Sequence, residues 1–160
     1  MIPLLINNKH LCEIFAPTET AGISTWNNDE INAFSLSHQM YPTSVDLISE
    51  TYSKDAERTA DYELENLVEV NRKAKPAFTW DLIKADYVKA LLEYLGYNYN
   101  FKDQSGVIIP REAATITITY WDFIGIRTIQ SYLGQTIEGQ LVEYNGTLYI
   151  SGFRLAFPER

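Results

Sequence analysis

The chain has little of what catalytic and exported proteins rely on. Among 160 residues there is one cysteine, Cys12, and two histidines, His10 and His38. A single cysteine excludes an intrachain disulfide and fits a reducing compartment. A structural zinc site needs four ligands at organised spacing. His10 and Cys12, at i and i+2 of what reads as a strand, lack two others to join them. No Gly-rich phosphate loop and no Gly-x-Ser-x-Gly elbow is present, and neither histidine is placed to serve a serine. Carboxylate pairs such as Asp29-Glu30 and Glu63/Glu65 occur, but no pattern sets them across a cleft as glycoside hydrolysis requires. The expectation is a protein that is not an enzyme, with no catalytic residue, metal or cofactor.

Positive charge and long apolar runs are also scarce. Thirteen Lys and Arg stand against 21 Asp and Glu, a net charge of −8. That balance repels phosphate backbones, and the densest basic group, Arg72-Lys73-Lys75, is small, so no nucleic-acid partner is expected. The opening MIPLLI is too short for a signal-peptide core or a membrane span and has no basic lead, so a soluble chain without a membrane partner is expected.

What the chain does have is aromatic residues, 13% of the total with eleven Tyr, and one segment of clear helical period. Val88, Leu91, Leu92 and Leu95 fall at i, i+3, i+4 and i+7, predicting a helix over about 84–95. Asp86 suits its first turn and Gly96 its left-handed C-cap. Phe78-Thr79-Trp80 before it reads as strand, as does the alternation of Tyr97, Tyr99 and Phe101 after it.

Elsewhere the period is two. Ile116, Ile118 and Tyr120 alternate with threonines and predict a strand with those three inward. Residues 124–133 form a second extended run. Asn145-Gly146, flanked by 140–144 and 147–150, is a type I′ hairpin signal. The last strand continues through Phe153, Leu155 and Phe157, with a bulge at Gly152. Leu64 to Trp80 reads as extended and interrupted by Pro76, and Ser49 to Glu65 as charged and turn-like. Residues 2–6 and 10–15 suggest a hairpin about Asn7-Asn8-Lys9. The predicted class is α+β: a mostly antiparallel sheet or sandwich with one principal helix, in a single domain over 1–160.

Residues 16–45 form a long irregular loop or arm in this reading, with large apolar residues interspersed. Two accounts stand: a loop packed on its own domain, or an arm that docks on a neighbouring copy through Trp26, Phe34, Met40 and Tyr41. A third, of another class, is a monomeric recognition module in which Trp26, Tyr41 and Trp121 stack on a glycan or small ligand.

The order of several segments resembles a known family. Pro42-Thr43-Ser44-Val45 is followed by Arg58-Thr59-Ala60-Asp61. An extended Val68 to Trp80 carries Arg72-Lys73 and leads to the helix with Leu91-Leu92. The chain closes on Phe157-Pro158-Glu159-Arg160. Tyr120-Trp121-Asp122-Phe123-Ile124-Gly125-Ile126-Arg127 loosely follows an F-Y-V-G-D-R-x-A stretch of that family. The arrangement, over about 42–160, is similar to small proteins from the tail modules of long-tailed phages and prophages. The resemblance implies a virion structural protein with a tail-tube-like β-sandwich plus helix. It implies assembly in the bacterial cytoplasm and residence in the virion tail, with copies of itself in a ring or collar and other tail proteins as partners.

Overall fold

The computed structural model describes residues 1–52, 71–96 and 115–160. The expectations for residues 53–70 and for the strand at Tyr97, Tyr99 and Phe101 lie outside the described residues.

The N-terminal hairpin forms where Asn7 and Asn8 allow it. Both adopt positive φ, +52° and +63°, joining β1 (Leu4–Ile6) to β2 (Lys9–His10). Here the sequence reading needs a correction, because residues 11–15 are helical and form α1 (Leu11–Phe15). The backbone N–H of His10 donates to the Glu13 carboxylate at 2.8 Å, closing the first turn as a capping acid does. Cys12 therefore sits on a buried helix face, away from any strand face shared with His10.

The second correction concerns residues 16–45, which are far from irregular throughout. A 3-10 turn (Ile23–Thr25) precedes α2 (Asn28–Ser37). The Asn27 side chain accepts from the Glu30 N–H at 2.8 Å and caps the helix. Asn27-x-x-Glu30 is itself a start signal. It is easy to overlook, since α2 buries only Ile31 and Ser35 and so lacks an apolar stripe.

β3 (Ser44–Asp46) and β4 (Ser49–Tyr52) follow, the latter correcting the turn-like reading of its residues, and then β5 (Asn71–Ala74) and β6 (Ala77–Lys84) flank Pro76. β6 leads into α3 (Ala85–Tyr94), within the expected bounds. Gly96 follows at φ +78°, the conformation that makes glycine the favoured residue after a helix. α3 buries Tyr87, Val88 and Leu91, its C-cap Leu95 is buried as well, and Leu92 is half-buried. The stripe is thus rotated slightly toward Tyr87, whose ring stacks on Phe15 of α1 at 5.6 Å.

The chain ends in β7 (Ile116–Asp122), β8 (Gly125–Ser131), β9 (Glu138–Tyr144) and β10 (Thr147–Ala156). Two four-stranded antiparallel sheets result, in the orders β2-β1-β7-β8 and β3-β6-β10-β9, with β4-β5 as a separate pair. Ile116, Ile118 and Tyr120 face inward as expected. Asn145 (φ +51°) and Gly146 (φ +81°) make the hairpin turn, and the β9–β10 register shifts between Ser151 and Arg154, placing the bulge at Gly152. The sheets share one core: Phe78 of β6 meets Tyr120 of β7 edge-on and Phe157 at a tilt, both at 6.0 Å, and Trp80 meets Phe153 at 5.4 Å. The chain is α+β and mostly antiparallel β.

The last thirty residues link the two sheets. Arg160 N–H donates to the Gln130 carbonyl, Tyr132 to Pro158 and Gly134 to Ala156; Ser131 bridges Glu159. Beyond a bend at Gln135, Glu138 faces Arg154 and the pairing continues to Tyr144 opposite Thr147. Residues 130–160 are therefore one antiparallel ribbon that begins beside β8 and ends at the β9–β10 turn. The turns of the β7–β8 and β9–β10 hairpins lie toward opposite ends of that path.

Candidate interaction surface

The four arm residues are held within their own chain. Trp26 and Phe34 are half-buried and pack on each other, ring centroids 5.5 Å apart, and Phe34 stacks on His38 at 4.2 Å. Tyr41 is half-buried and donates from its hydroxyl to Asn32 on α2 at 2.9 Å. Burial pushes its own ionisation up. Met40 has no exposed area, and its carbonyl accepts from the Trp80 indole N–H at 2.9 Å. It would meet a neighbour only if the core opened. The structure thus gathers Trp26, Phe34 and Tyr41 around α2 and sets Met40 beneath them. Trp121 stands on the outer side of β7 and makes no ring contact with Trp26 or Tyr41 among the described residues, so those three do not form one stacking platform.

Sequence reasoning missed the main exposed apolar surface. At the β7–β8 turn Trp121, Phe123, Ile124 and Ile126 are 55%, 66%, 94% and 60% exposed. Trp121 pairs directly with Ile126 across the hairpin. The signal was present in the sequence, since a turn usually takes polar residues or glycine and this one places Phe123-Ile124 before Gly125. Away from the turn the same face becomes polar. Thr119 and Thr128 hydroxyls are hydrogen-bonded at 3.0 Å, and Thr117 donates to Gln130 at 3.1 Å. A second exposed group, Leu141, Tyr144 and Leu148, lies on β9–β10 beside Glu138 and Glu143.

Behind the β7–β8 turn is an ionic cluster. Arg127 donates to Asp122 at 3.2 Å and to both oxygens of Glu159 at 3.2 and 3.3 Å, while Glu159 also accepts from the Ala74 N–H at 2.8 Å. Two segments that carry the family resemblance, 120–127 and 157–160, thus meet in space. Tyr120 beneath them has its pKa pushed up to about 12, first by burial and then by the Asp122 carboxylate, with Arg127 opposing. The cluster has the character of a fastening, since each carboxylate has a donor. Cys12 is buried and its thiol is pushed up by that burial, the reverse of a reactive thiolate. Among the described residues no three His, Cys, Asp or Glu are grouped as metal ligands. No described helix is long and apolar enough to cross a membrane.

The geometry defines an α+β, mostly antiparallel chain with exposed apolar hairpin ends. No family model and no curated protein matches it. Among solved structures it is similar to a chain from the tail of an empty gene transfer agent particle with C6 symmetry. The identity is 10%, over 75% of this chain and 78% of that one, with a TM-score of 0.45.

Proposed function

We propose that this chain is a structural component of a phage or prophage tail, working by association with copies of itself or by docking to other tail components. The observation that supports it is the set of large apolar side chains left uncovered at the β7–β8 turn. Single exposed apolar residues are ordinary, whereas a contiguous group of them marks an interaction surface. The resemblance of residues 42–160 to tail-module proteins supplies the context. In this reading the Trp26–Phe34 pair on the α2 side is a secondary contact, and Met40 and Tyr41 act by fixing the surface above them.

Sedimentation velocity over a concentration series tests the reading. The expected result is a species larger than the monomer whose share grows with concentration. A monomer at every concentration, with and without other proteins of the same tail, would overturn it.

A further inference from the structure

Resting on that assembly reading, we propose that the turn and outer face of the β7–β8 hairpin form the surface through which this chain docks on a second copy of itself. The first support is charge. Each copy carries −8, so like faces repel wherever acids are exposed, and juxtaposed like charges are a strong penalty in an interface. Between Thr117 and Gln130 the only charged residues are Asp122 and Arg127, and these are tied to each other and to Glu159. The β9–β10 hairpin, the other apolar candidate, sets exposed Glu143 directly opposite Leu148 on the face that carries Leu141. An uncharged face is where a strongly acidic protein can meet its own copy.

Area and anatomy give the second support. Two rings and two isoleucines at these exposures offer on the order of 400 Å² of apolar surface. A stable complex buries about 800 Å² on each partner. The adjoining ladder of Thr117, Thr119, Thr128 and Gln130 would supply the remainder, and its side-chain groups already hydrogen-bond in pairs. An apolar centre with a polar margin is the usual layout of a protein–protein contact. A bilayer fits less well. The net negative charge disfavours an anionic membrane surface, and Arg127, the cation of this hairpin, is engaged with two carboxylates.

Three samples of the full chain, followed by sedimentation velocity, test the proposal: wild type, Phe123→Ser with Ile124→Asp, and Leu141→Asp at the other hairpin. The changed side chains are solvent-exposed, so thermal unfolding should stay near wild type in both variants. If the double change perturbs folding, Ile126→Thr, which keeps a strand-compatible residue, replaces it. The expected result is self-association weakened at least tenfold by the double change and less than twofold by Leu141→Asp. Wild-type association that survives the double change would overturn this surface and leave the assembly reading standing. A wild type that stays monomeric alone would overturn this surface as a self-contact, and one that also stays monomeric with the other proteins of the same tail would overturn both. Hairpin-dependent binding to phosphatidylcholine vesicles by a chain that does not self-associate would likewise overturn the second copy as occupant.

Discussion

Tyr120 is the residue whose surroundings can be read most directly in solution. Its native pKa of about 12 stands above the usual phenol value of 10. The unfolded chain therefore releases its proton first as pH rises. Stability is fully present below pH 10 and is lost progressively between about pH 10 and 12, by about 2–3 kcal/mol in all. Denaturant midpoints at pH 8 and 11.5 for wild type and Tyr120→Phe check this: the variant should lose less of its midpoint over that interval. The two arginine pairs offer a second contrast. Arg127→Met leaves Asp122, 7% exposed, beside Glu159 with no cation between them. It should cost about 1–3 kcal/mol. Arg154→Met removes a contact to Asp46, whose side chain is 55% exposed, and should cost about 0–1 kcal/mol. Equal midpoints for the two variants would contradict the different burial of the two pairs.

Among the elements, α3 carries the clearest division between faces. Leu91 is fully buried and Lys89 exposed. Leu91→Ala should cost about 2–5 kcal/mol and Lys89→Ala under about 0.5 kcal/mol, read as shifts in denaturant midpoint. Leu92→Ala, half-buried, should fall between them. At the β9–β10 turn, Gly146→Val forces a β-branched residue to φ +81° and should cost about 1–3 kcal/mol, whereas Thr147→Val beside it should be near neutral. The elements that were legible in the sequence are those whose local chemistry and periodic pattern agree. α3, β7 and the Asn145-Gly146 hairpin each combine a residue period with a matching start, stop or turn. α2 was missed because its start signal stands alone, with a polar surface on nearly every side. α1 was missed because five residues are too few to display a period, and Leu11-Cys12-Glu13-Ile14-Phe15 suits either state until Glu13 is seen to cap the turn.

At the scale of the whole molecule, the fold class was legible and the exposed apolar surface was not. Apolar residues count equally toward a core wherever they stand in a sequence, and only packing shows which remain uncovered. Trp26, Phe34 and Met40 look available on a presumed loop, yet α2 and Trp80 draw them inward. Phe123 and Ile124 look like ordinary strand residues, yet the two-residue link between β7 and β8 puts them at the end of a hairpin.

The ribbon that joins the two sheets also sets a timetable. β1 pairs with β2 at once, but its other edge pairs with β7, and Asn7 N–H donates to the Thr117 carbonyl at 2.7 Å, so that edge must wait for more than a hundred residues before its partner emerges. The ribbon itself is pinned by Glu159 and Arg160, which are made about forty residues later than β7 begins. Synthesis proceeds at about 5–20 residues per second. The nascent chain therefore spends several seconds with the apolar faces of β1, β6 and α3 uncovered, and its native pairing is complete only once residues 159 and 160 have emerged. Protease should cut within β1, β6 and α3 in a chain stalled with residue 150 at the tunnel mouth, and spare those elements in one stalled well beyond residue 160.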